Sequence, residues 1–61
     1  MKRVEAWKNN KIVAVEPSWK DSDNEAVSDQ RSIWDHAGVA YDFIRARTAN
    51  NIYDANITRG Q

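Results

Sequence analysis

Few residues in this chain could do chemistry, and their spacing argues against most reactions. Asp35 and His36 could suggest a general acid–base pair, but adjacent residues on a helix point about 100° apart and do not face each other. No serine, cysteine or lysine stands where it would complete a nucleophilic site with them. Asp21-Ser22-Asp23-Asn24-Glu25 has the acidic spacing of a calcium loop's start. Ala26 stands where such a loop needs glycine, and Ser32 where it needs its closing glutamate. A solvated acidic helix start explains the run better. The only glycines are Gly38 and Gly60, so there is no glycine-rich phosphate loop. The absence of cysteine excludes disulfides and thiolate sites, and a single histidine argues against structural zinc. The expectation is a protein that is not an enzyme and has no cofactor and no metal.

Two sets of residues remain for binding. Arg45, Arg47 and Arg59, with the lysines near the N-terminus, could contact phosphates, and the tryptophans and tyrosines could stack on bases. Against this, the chain carries nine basic and nine acidic residues, whereas domains that bind nucleic acid usually carry a basic surplus. The other set, Trp7, Ile12, Phe43, Arg45 and Arg47, mixes large apolar and guanidinium groups, as protein interfaces do.

The elements that must position these residues are legible in part. Lys2 to Trp7 and Lys11 to Val15 are rich in Val, Ile and Trp and read as strands. Asn9-Asn10 between them can serve as a two-residue hairpin turn, because asparagine tolerates left-handed conformations. That turn sets a register in which Trp7 pairs with Ile12, Ala6 with Val13, Glu5 with Ala14, Val4 with Val15 and Arg3 with Glu16. Val4, Ala6, Val13 and Val15 would then form the core face, and Trp7 and Ile12 an outer apolar pair. On this register Val13→Asp should be damaging and Glu5→Lys mild. Pro17 ends the second strand or sits at its edge. Trp19 in the connector folds back as a lid on the core or meets a partner.

Mostly apolar residues recur every seven positions from residue 23 to 48: Val27, Trp34, Tyr41 and Thr48; Ala26, Ile33 and Ala40; Gln30, Ala37 and Ile44. This spacing predicts one long amphipathic helix over 23–48. Ser22 with Glu25 gives a capping pattern at its start. Gly38 is then either a tolerated mid-helix glycine or a point of close backbone approach. Val39, Ala46, Tyr53 and Ile57, with Phe43 nearby, form a second apolar row. Residues 49–57 read as a helical extension or a third strand, and 58–61 as a tail.

The 61 residues form one small α+β domain: hairpin 2–16, connector 17–22, helix 23–48 and the C-terminal segment. A domain of this size is marginal alone, and without disulfides or metal the remaining staple is a partner chain. A 23–48 helix would span roughly 39 Å and overhang a compact domain about 27 Å across. This predicts a homodimer or higher oligomer through Ile33, Trp34, Ala37, Gly38, Tyr41 and Ile44. Charge makes the pairing antiparallel: residues 21–42 carry six acids and one base, residues 43–61 three bases and one acid. No apolar run approaches the roughly 18 residues of a membrane span, and no secretory signal opens the chain. The expected setting is the cytoplasm, so the glycosylation pattern Asn56-Ile57-Thr58 carries no weight.

The function expected from these features is that of a small protein-binding module: an inhibitor, sequestering protein or adaptor. Blockers of host factors encoded by phages or mobile elements are one such type. The alternative is a small nucleic-acid or nucleotide-binding protein.

Overall fold

The computed structural model describes residues 2–55, residue 55 by its backbone alone. The tail 58–61, Ile57, Arg59 and the Asn56-Ile57-Thr58 pattern lie outside the described residues. Strands β1 (Lys2–Lys8) and β2 (Lys11–Ser18) precede helix α1 (Asp23–Ala37), and strands β3 (Phe43–Arg47) and β4 (Ile52–Ala55) follow it. The strands form one antiparallel sheet in the order β2-β1-β3-β4. The helix lies on one side of it, giving a small α+β domain. Among the described residues no helix is long and apolar enough to cross a membrane.

The hairpin turn forms as its asparagines require. Asn9 and Asn10 both take positive φ, 53° and 64°, the left-handed pair of a type I′ turn. Lys8 faces Lys11 across the turn, and Trp7 faces Ile12, as expected. Beyond that pair a β-bulge intervenes, and Ala6 faces Ala14 rather than Val13. Glu5 therefore faces Val15, Val4 faces Glu16 and Arg3 faces Pro17. The expected pairs Ala6–Val13, Glu5–Ala14, Val4–Val15 and Arg3–Glu16 do not form. Val13 and Val15 are exposed, and neither belongs to the core. β2 is an edge strand, where bulges are common and where proline loses no ladder bond.

The helix is 15 residues long, ending at Ala37 instead of residue 48. Ser22 caps its start: the Ser22 hydroxyl accepts the Glu25 N–H at 3.3 Å. Gly38 stops it in the left-handed region, φ 80°. The Gly38 N–H donates to the Asp35 carbonyl at 3.3 Å, and the Val39 N–H to the Trp34 carbonyl at 2.9 Å. These two bonds satisfy carbonyls that the last turn leaves open, and Val39 then packs on the core beside Trp34. After the stop, burial alternates along Phe43–Arg47: Ile44 and Ala46 are buried, and their neighbours less so. The seven-residue recurrence through Tyr41, Ile44 and Thr48 thus arises from a helix, a cap and a strand that all send apolar residues into one core. The supposed second row has the same origin, with Val39 in the cap, Ala46 on β3 and Tyr53 on β4. Within the segment after residue 48, Ile52–Ala55 takes the strand alternative.

The core comprises Val4, Ala6, Ala26, Val27, Trp34, Tyr41, Ile44 and Ala46. At 1.5 Å per residue α1 spans roughly 22 Å, which fits within the domain's 28 × 22 × 18 Å. Nothing overhangs, so the length premise for antiparallel helix pairing does not hold. Nor do Arg45 and Arg47 stand at the helix C-terminus.

A Cβ on residue 38 would meet no atom within 4 Å, so replacing Gly38 tests backbone conformation alone. Gly38→Ala should lower stability by about 1–2 kcal/mol in urea unfolding. Gly38→Asn should lose less, because asparagine tolerates the left-handed region better. Equal stability of all three proteins would contradict the cap.

Candidate binding surface

The helix covers one face of the sheet, the one carrying Val4, Ala6, Ile44 and Ala46. Strand alternation sends the intervening residues to the other face, where cross-strand pairing arranges them in rows. One end row is Pro17, Arg3, Arg47 and Ile52. The middle row is Val15, Glu5, Arg45 and Asp54. The other end row is Ile12, Trp7 and Phe43, with the bulge residue Val13 beside it. This face has no covering layer among the described residues.

Glu5 stands at its centre with no solvent exposure, a charged residue buried where the sheet is uncovered. Its own neighbours seal it. Oε2 accepts from Arg3 Nε at 2.9 Å and Arg47 Nε at 3.1 Å. Oε1 accepts from Trp7 Nε1 at 3.0 Å and Arg47 Nη2 at 3.4 Å. Four donors saturate a carboxylate. Burial pushes the Glu5 carboxyl upward, but the hydrogen bonds from Arg47, Trp7 and Arg3 and the Arg47 charge outweigh it and hold the pKa below its ordinary 4.5.

The Trp7 indole, fixed by Glu5, stacks on Phe43 with ring centroids 5.9 Å apart and planes 8° from parallel. The Arg45 guanidinium lies 4.9 Å from the Trp7 ring centroid and 5.4 Å from that of Phe43. Arg45 is in turn gripped by Asp54, which accepts from both its Nε and its Nη2. That Arg45 hydrogen bond lowers the Asp54 pKa against the opposing effect of burial. Beside this fixed cluster, Ile12, Val13 and Val15 on β2 are 42–49% exposed, while the exposed Ile52 lies on the opposite edge strand. Large apolar groups gathered at one side of an uncovered sheet are the kind of patch that a partner covers.

All five residues of the expected partner set, Trp7, Ile12, Phe43, Arg45 and Arg47, lie together on this face. The self-association set is dispersed. Trp34, Tyr41 and Ile44 are core residues of the single chain, Gly38 is the helix cap, and Ile33 and Ala37 are exposed on the helix. Tyr41 also donates from its hydroxyl to Asp35 Oδ1 at 2.6 Å, so Asp35 braces the helix end. His36 is exposed. Trp19 is 77% exposed and does not act as a lid.

Glu5, Arg3 and Asp54 were missed in the sequence reading. The signal for them is alternation: Arg3, Glu5, Trp7 on one strand and Phe43, Arg45, Arg47 on the next share a face once both segments are read as strands. Glu5 keeps its expected outer side, but its burial overturns the expectation that Glu5→Lys is mild. Comparison with protein-family models, with curated proteins and with solved structures finds no match.

Glu5 has a lowered pKa in the folded state, so its stabilisation is complete above its unfolded value near 4.5 and is lost as pH falls through the folded value. Asp54 acts with the same sign from 3.8 downward. Chemical unfolding across this range should show stability falling on acidification. Glu5→Gln should cost roughly 2–3 kcal/mol at pH 7, because it leaves guanidinium groups without their shared anion. It should also flatten the acid dependence to the part owed to other carboxylates. An unchanged pH profile in Glu5→Gln would rule out this assignment.

Proposed function

We propose that this chain is a non-enzymatic protein-binding module, an inhibitor, sequestering protein or adaptor, whose contact surface is the uncovered face of the sheet. The observation that carries the reading is the side-by-side placement of two features. One is an aromatic–arginine cluster held rigid by Glu5 and Asp54. The other is the row of exposed apolar residues on the edge strand. Tryptophan and arginine dominate the energetics of protein interfaces, and anchors fixed before binding lose little entropy when a partner arrives.

The nucleic-acid alternative draws on the same Trp7–Phe43 stack. Its weakness is electrostatic. Arg45 is committed to Asp54, and Arg3 and Arg47 to Glu5, so little charge is left over to displace counterions from a phosphate backbone.

A photo-crosslinking residue placed at Ile12, or for comparison at Ile33 on the helix, tests the reading in cells that naturally make the protein. Position 12 should give a discrete adduct with another protein that resists high salt and is lost in Trp7→Ala. Position 33 should give none. A nuclease-sensitive adduct that vanishes with salt, or adducts from position 33 alone, would contradict the proposal. An adduct of two copies of this chain would replace the adaptor with a self-associating protein.

A further inference from the structure

We infer that Arg3 and Arg47 form a receiving site for a single carboxylate on the partner, a site that rests on the protein-binding reading above. The uncovered face carries three guanidinium groups, Arg3, Arg45 and Arg47, and two carboxylates, Glu5 and Asp54, among the described residues. Arg45 and Asp54 are matched one to one. Arg3 and Arg47 share the single carboxylate of Glu5. The surplus of one positive charge therefore belongs to the Arg3–Arg47 pair.

These two residues face each other across β1 and β3. Their side chains are 54% and 34% exposed. Each turns Nε and Nη2 toward Glu5, which leaves Nη1 as the outer edge. Two guanidinium groups oriented this way can grip one carboxylate through charge-assisted bonds. Pro17 and Ile52 flank them in the row, so among the described residues that row holds no acidic side chain.

The neighbouring rows select a carboxylate over a phosphate chain. In the next row Glu5 is already matched to Arg3 and Arg47, and Arg45 is matched by Asp54, so the row offers no further positive charge. A polyanion running along the strands would find no second cationic site after the arginines. A carboxylate borne alone needs none. The row beyond is the apolar Ile12, Trp7 and Phe43, four residues along the strands from Arg3 and Arg47, or about 13 Å. The fitting partner is thus a polypeptide segment presenting one Asp or Glu and one large apolar side chain about 13 Å apart. In an extended segment those are positions i and i+4.

The peptide acetyl-Glu-Ser-Ala-Ser-Leu-amide has this pattern. It can be titrated into the full chain while the arginine Nε–H and Trp7 indole N–H signals are followed by NMR. Both sets should shift together. Replacing Glu by Gln in the peptide should weaken binding about fivefold or more. Arg3→Gln should cause a similar loss while the core signals stay in place and the spectral changes remain confined to Glu5 and its neighbours on this face. Trp7→Ala separates the two ideas. If Trp7→Ala weakens binding but the Glu and Gln peptides bind alike, the apolar surface stands and the carboxylate site falls. If oligothymidylate moves the arginine signals more than the Glu peptide does, the ligand is a phosphate chain and the inference is overturned. Failure of the Glu peptide to move either set at millimolar concentration overturns it as well.

Discussion

Glu5 is sealed from solvent on the side of the sheet opposite α1, and its carboxyl is held below the ordinary pKa. A buried charge is costly unless nearby groups replace the water it lost. Arg3, Trp7 and Arg47 do so with four hydrogen bonds. The same bonds fix those side chains in place. Trp7 thereby orients Phe43, and Arg45 settles over both rings with Asp54 behind it. One carboxylate thus turns a set of long side chains into an ordered surface, and the entropy of ordering them is lost on folding.

Three local features make that arrangement possible. The Asn9-Asn10 turn brings β2 beside β1, and the bulge at Val13 turns Val15 to the outer side opposite Glu5. The cap at Gly38 ends the helix early enough for Phe43–Arg47 to return as the strand next to β1. Without that stop, Arg45 and Arg47 would have stayed on a helix, and Glu5 would lack its principal partner. The domain has two chemically different sides as a result. The helix side buries the apolar core, and the uncovered side buries a charge.

The sequence was most informative where one residue type has one physical use. The left-handed asparagines located the turn, and Ser22 located the helix start. It misled where two periodicities coincide. Apolar residues seven apart continued past Gly38, yet Phe43–Arg47 also alternates with period two, and the glycine between decides in favour of the strand. Reading Gly38 as a mid-helix residue carried the helix to position 48 and built the dimer argument on its length. The bulge was illegible for a related reason. Ile12-Val13-Ala14-Val15 is apolar throughout, so it carries no alternation to fix register. The residues expected to meet a partner are brought together by elements that were only partly foreseen. Trp7, Ile12, Phe43, Arg45 and Arg47 fall on one face because all lie at outward strand positions, although Phe43, Arg45 and Arg47 were assigned to the wrong element. Glu5 escaped notice because a lone glutamate in a strand reads as solvent-facing until its partners across the sheet are known.

The role of Glu5 is most directly tested by following its side-chain carboxyl carbon by NMR as the folded protein is acidified. A titration midpoint below 4.5 is expected, with the Trp7 indole N–H signal moving at the same pH as its acceptor is protonated. A midpoint at or above 4.5, or a Trp7 signal indifferent to that titration, would show that Glu5 does not organise the surface.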